Sequence, residues 1–174
     1  MGISWSAMRR LLEQENICDS LKGRVQYFAT RYRESHDREG RIAIRIDGNE
    51  VFKSDFYDWD IKRHQTWDEI NETKGRKTSY SESGEQMELG ALNKGGLDQF
   101  AFYNAFHAYS NSSIDDSLAA PDPVIRLFAI LDKRVGKRSL QKILSEVGNQ
   151  PEWLQFFYRL RLEADGISSN SSIE

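Results

Sequence analysis

Apolar and polar positions follow two different rhythms along this 174-residue chain, and the change of rhythm divides it. Near the start, Trp5, Met8, Leu11 and Leu12 recur every three or four residues, with Arg9, Arg10, Glu13 and Glu15 on the other side. That spacing predicts a short helix over 5–15, capped by Ser4. From Lys22 the period falls to two. The run 24–33 is rich in strand formers, and in 41–47 Ile42, Ile44 and Ile46 alternate with Arg41, Ala43, Arg45 and Asp47. Asp47–Gly48–Asn49 is a turn signal, and Glu50 to Lys53 reads as a third strand. The pattern predicts an antiparallel meander over about 22–54.

The stretch 55–95 carries no clear period. Phe56, Tyr57 and Trp59 are interleaved with Asp55, Asp58 and Asp60, which suggests an irregular segment packed by its rings. A helix over 62–72 lacks a good apolar stripe. Residues 74–84, with two Gly and three Ser, read as a loop, and 85–93 as a short helix stopped by Gly95 and Gly96. Beyond this the helical period returns. Phe102, Ala105, Phe106 and Tyr109 form one face of a helix started by Asp98, and 111–120 reads as a loop. Asp122 followed by Pro123 is a strong helix start, and the apolar run 124–131 predicts a central, buried helix. Leu140, Ile143, Leu144 and Val147 give another stripe, and Pro151 opens a last helix. Strands followed by helices imply the α+β class, with helices covering the isoleucine face of the sheet. Residues 1–165 are expected to form a single domain, with 166–174 a disordered tail.

Composition changes this picture little. Nine Phe, seven Tyr and four Trp argue for a packed core despite 29% charged residues. No apolar run approaches the roughly 18 residues that cross a bilayer, and no signal-peptide core is seen at the N-terminus, so a cytosolic protein without a membrane partner is expected. Cys18 stands alone, which excludes an internal disulfide and a multi-cysteine zinc site.

Candidate chemistry is sparse. His36, His64 and His107 lack metal-ligand spacing, and Asp55, Asp58 and Asp60 do not fit a calcium loop, so neither metal nor cofactor is expected. Gly136–Lys137–Arg138–Ser139 resembles the end of a phosphate-binding loop but lacks the loop's first glycine. Gly2 with Ser6 fits a loose acylation pattern that chance explains. Two basic clusters remain. With Arg33 opposite Arg41 in the hairpin, Tyr27, Arg31, Arg33, Arg41 and Arg45 would share the sheet face opposite the isoleucines, an arrangement suited to phosphates or stacked bases. The second cluster is Lys133, Arg134, Lys137 and Arg138, where one helix turns into the next. Cations there also oppose the dipole of the preceding helix, which is a purely structural role. Residues 9–45 carry a balance of +3 and residues 47–72 one of −5, so the surface is two-sided in charge within a chain of net charge −3. A net-acidic chain is a poor generic nucleic-acid binder, and such a surface suits a protein partner at least as well.

Two blocks carry a resemblance: GRVQYFATRYR at 23–33, followed by His36–Asp37, Gly40–Arg41 and Ile46–Asp47–Gly48; and LDKRVGKRSL at 131–140, followed by Phe157–Tyr158 and Arg161 to Ala164. Together they resemble a family of small uncharacterised bacterial proteins, over most of the chain except 55–95. The resemblance implies a bacterial cytosolic origin and transfers no catalytic residue. Three functions remain open. The first is a non-enzymatic protein-interaction or regulatory module using the mixed-charge sheet face and the 133–138 junction. The second is nucleic-acid or polyanion binding through the arginine face. The third is an enzyme using His36 and Asp37, with Arg41 holding an anionic substrate. A flat patch of exposed aromatics from 55–60 would favour a protein partner.

Overall fold

The computed structural model describes residues 2–31 and 40–168. Arg33, His36, Asp37 and the tail from 169 therefore lie outside the described residues, as does the side chain of Arg31. The chain opens with α1, Trp5–Arg10, where the Ser4 side chain accepts the Ala7 N–H at 3.2 Å. A π-helical turn, Leu11–Glu15, extends it, and a 3-10 turn, Asp19–Leu21, leads into the sheet. Three strands follow, β1 Val25–Arg31, β2 Gly40–Ile46 and β3 Asn49–Asp55, antiparallel in the order β1-β2-β3. Asp47 and Gly48 both take positive φ, 52° and 83°, as a two-residue hairpin turn requires.

The β1–β2 register differs from the sequence expectation. Thr30 lies opposite Arg41, Tyr27 opposite Ile44 and Val25 opposite Ile46. A shift of one residue exchanges the faces of a strand. Val25, Tyr27 and Ala29 therefore join Ile42, Ile44 and Ile46, and the expected five-residue arginine–tyrosine face does not form. Packing decides the choice. Val25, Tyr27 and Ala29 are the more apolar of the two alternating sets, and Tyr27, only 1% exposed, meets the rings of Phe102 at 5.6 Å and Phe128 at 6.0 Å. Between β2 and β3 the register shifts after Ile44, so Arg45 pairs with Glu50 and Val51 bulges out.

Helices occupy the rest. A single helix, α2, runs Phe56–Lys74, and α3 runs Tyr80–Asn93, so the region read as irregular and loop-like is an antiparallel helical hairpin. The local reason is capping. Asp55 and Asp58 form a reciprocal capping box, Gly75 closes α2 at φ 68°, and the Ser79 side chain accepts the Glu82 N–H to start α3. Lys74 and Arg76 bracket Glu82 across the turn; their hydrogen bonds hold its carboxyl at about 2. Gly90 lets the two helices meet closely, since a Cβ there would lie 2.2 Å from Thr66 Cγ2.

Next come α4, Gln99–Ser110, a short α5, Ile114–Leu118, within the stretch read as a loop, and α6, Pro123–Ile130. Asp122 caps α6 by accepting the Val124 N–H at 2.8 Å. Then follow α7, Lys137–Ile143, a 3-10 turn, Leu144–Asn149, and α8, Glu152–Ala164. One cluster of buried side chains joins the isoleucine face of the sheet to α4, α6 and α8. Phe128 stands at its centre, within 6.4 Å of the rings of Tyr27, Phe102, Phe106 and Tyr109. The architecture is α+β, a three-stranded sheet covered on its isoleucine face by helices. Among the described residues no helix is long and apolar enough to cross a membrane.

Candidate interaction surfaces

On the outer face of the sheet, Gln26, Phe28 and Thr30 line up with Arg45, Ala43 and Arg41. Two guanidinium groups flank the Phe28 ring, Arg45 at 4.4 Å and Arg9, reaching over from α1, at 5.0 Å. Each such contact contributes about 0.5–1 kcal/mol at an exposed site. Arg9 is itself paired with Glu13 at 2.8 Å, and Arg41 with Glu50 at 2.6 Å. Of the residues expected to bind together here, Arg41 and Arg45 share the face but are engaged with protein groups. Tyr27 is in the core and cannot stack on a base, and burial pushes its phenol far above the usual range.

The second basic cluster divides. Lys133, Arg134, Lys137 and Arg138 are all exposed, yet Arg134 turns back onto Asp132, a carboxylate the sequence reading passed over. The Asp132 side chain is fully buried and accepts from the Arg134 backbone N–H at 2.7 Å, from its guanidinium at 2.9 Å and from the Tyr109 hydroxyl. Burial alone would raise its carboxyl; the hydrogen bonds from Arg134 and Tyr109 prevail and hold it below the ordinary value. Arg161, on α8, donates to the carbonyls of Ile130 at 2.9 Å, Asp132 at 2.8 Å and Val135 at 2.8 Å, and to Asp165. The N-terminal segment joins the same turn, with Cys18 N–H on Leu131 and Lys133 N–H on Asn16, both 2.8 Å. The block 131–135 is thus a polar junction to which α4, α8 and the N-terminal segment are tied. The side chains of Lys133, Lys137 and Arg138 take no part in it and have no carboxylate partner among the described residues.

Three of the exposed large apolar side chains lie on the hairpin of α2 and α3. Tyr57 and Ile61, one turn apart on α2, are 61% and 57% exposed, and Tyr80 at the start of α3 is 54% exposed. His64 continues the line. Its Nε2 is 3.4 Å from the Tyr80 hydroxyl, its Nδ1 is 2.8 Å from the Asp60 carbonyl, and Tyr80 stacks on Trp67 with ring centres 4.8 Å apart. Asp68 and Glu72, both exposed, extend the face toward the end of α2 by the four-residue spacing. The opposite side of α2 turns inward, where the Trp59 indole donates to Glu88 at 3.0 Å and carries the Arg63 guanidinium 4.6 Å above its ring. The sequence reading singled out the 55–60 aromatics but missed Ile61 and Tyr80; the Asp55–Asp58 capping box, three residues apart, was the signal that fixes the helical face.

An open groove of about 920 Å³ runs between α1 and α4, lined by Ile3, Trp5, Thr30, Phe100 and Tyr103. Among the described residues no group of three or more His, Cys, Asp or Glu could hold a metal ion. A model of the SF0329 protein family matches residues 4–162. No curated protein and no solved structure matches the chain.

Proposed function

The chain belongs to the SF0329 protein family, and we propose that it acts as a protein-interaction module whose contact surface is the outer face of the α2–α3 hairpin. One observation carries this reading: Tyr57 and Ile61, one turn apart on α2, and Tyr80 on α3, which meets His64 of α2, are each more than half exposed. Isolated exposed apolar residues are ordinary, whereas a contiguous set rich in tyrosine marks a contact surface. The sheet face and the 131–135 junction, by contrast, spend Arg9, Arg41, Arg45 and Arg134 on contacts within the protein.

The reading is tested with Ile61→Asp. Because Ile61 is 57% exposed, this change is expected to leave the thermal midpoint nearly unchanged. It is expected to abolish recovery of a partner that the tagged wild-type protein retains from its host's lysate. Equal recovery by both proteins would remove the hairpin face from the account.

A second reading, polyanion binding, is favoured by Lys133, Lys137 and Arg138, which the polar junction leaves exposed and unneutralised. Its signature is oligonucleotide binding that weakens steeply with salt and is lost in Lys137→Glu with Arg138→Glu. Salt-independent or absent binding removes it.

A further inference from the structure

Between α3 and α6 lies a second open groove, of about 450 Å³, on the other side of the α2–α3 hairpin from the tyrosine line. Leu89, Leu92 and Ile125 give it an apolar floor, and Glu85, Glu88 and Asp122 rim it. We propose that this groove docks a lysine-bearing apolar segment of a partner protein, with the lysine stem along Leu89 and Ile125 and its ammonium among the three carboxylates. The inference goes beyond the hairpin face and does not depend on it.

The argument is one of charge complementarity on an apolar floor. Three carboxylates line the groove, and among the described residues no cation is within hydrogen-bond distance of any of them. Of the two nearby arginines, Arg63 forms a long ion pair with Glu88 and Arg126 is bonded elsewhere. Arg63 stacks on Trp59, with its Nε 3.7 Å from Glu88, buried and without a hydrogen-bond partner. Arg126 donates to the carbonyls of Ala120 and Pro121, at 2.7 and 2.9 Å, and to Gln150 at 3.0 Å. Burial outweighs the stabilising partners of two of these carboxylates. Burial pushes Glu88 up against the Trp59 hydrogen bond and the Arg63 charge that lower it, with the charges of Asp98 and Asp122 adding a smaller rise. Burial likewise pushes Asp122 up against its Val124 and Ile125 N–H bonds and the Arg126 charge. An occupant bringing one positive charge relieves this repulsion, and one with a long methylene stem also covers the leucine and isoleucine floor. Lysine combines the two: a flexible four-carbon stem and a compact ammonium with three donors that can turn toward separated acceptors. A second copy presenting the same acidic rim would instead add like charge.

The indole N–H of Trp59, held on Glu88, is a built-in reporter. The protein has four tryptophans, so its ¹H–¹⁵N spectrum shows few indole cross-peaks, and Trp59→Phe identifies the one required. The probe is a capped ten-residue peptide of leucine, alanine and lysine, with a control peptide carrying glutamine in place of lysine. The lysine peptide is expected to shift the Trp59 peak saturably. Glu85→Gln with Glu88→Gln and Asp122→Asn is expected to weaken binding at least about tenfold. These replacements keep the acceptor for Trp59 and the cap of α6. The Ile61→Asp protein is expected to bind this peptide as the wild type does, so failure here and failure of the hairpin face are told apart. Four results would each overturn the proposal: no shift with the lysine peptide, equal binding of the glutamine peptide, equal affinity for spermidine, or a Trp59 shift driven by protein concentration alone.

Discussion

Replacing Arg161 with methionine is expected to destabilise the fold by about 3–5 kcal/mol, the range found when one partner of a buried charged network is removed. The side chain of Arg161 is 4% exposed, and methionine fills much of its volume. Volume is not the difficulty. The carbonyls of Ile130, Asp132 and Val135 lie at or just after the end of α6, where a helix leaves carbonyls without intrahelical partners, and Arg161 donates to all three. Without it the carbonyls of Ile130 and Val135 lose their donor, at about 1–3 kcal/mol for each one that water cannot reach, while the Asp132 carbonyl keeps the Val135 N–H at 3.2 Å. Asp165 would lose its cation as well. For a chain of this length the thermal midpoint should fall by roughly 6–20 °C, at about 2–4 °C for each kcal/mol. Lysine should rescue little, because its single ammonium cannot span acceptors that the planar guanidinium reaches as a fork. Thermal and urea denaturation of Arg161→Met and Arg161→Lys beside the wild type measure both effects. A midpoint for Arg161→Met within two degrees of wild type would show that α8 is held to the junction by packing alone.

Asp132→Asn comes second, with an expected loss of about 2–4 kcal/mol at neutral pH, less than for a fully buried pair because Arg134 can return to water. Asparagine presents an amide where the Arg134 guanidinium now meets a carboxylate, so donors face donors. The pH dependence separates this role from simple packing. The folded Asp132 carboxyl titrates below its unfolded value, because Arg134 and Tyr109 bond its charged form strongly enough to outweigh burial. Its contribution is therefore complete above the unfolded value of about 4 and is lost as pH falls through the folded value. The stability gap between wild type and Asp132→Asn should close on acidification. A gap that stays constant from pH 7 down to the acid limb would mean that the carboxylate's charge contributes nothing.

Both residues hold together a block whose sequence reads as a cluster of cations, and the difference shows what local pattern can reveal. Four cations surround one aspartate in 132–138, and nothing nearby indicates that Asp132 is buried or that Arg161, 29 positions later, will cap the turn. Elements fixed by short-range signals were legible. The alternating isoleucines and the Asp47–Gly48 turn gave the meander, and Asp122 with Pro123 gave the start of α6. The face of β1 was not, because either alternating set could be buried until Phe102 and Phe128 supplied the rings that close on Tyr27. The α2–α3 hairpin was obscured for a different reason. α2 turns Trp59 inward while Tyr57 and Ile61 face solvent, so its apolar residues encircle the helix instead of forming one stripe. Its start was marked by a capping box whose aspartates read equally well as an acidic run.

The proposed function rests on that same displacement of apolar residues to the outside. It is tested most directly by photo-crosslinking in the host cell, with a benzophenone amino acid placed at position 61 and, as a control of comparable exposure, at position 156 on α8. The result expected is one discrete protein adduct from position 61 and none from position 156. No adduct from position 61, or the same set of adducts from both positions, would contradict the assignment of the hairpin face as the contact surface.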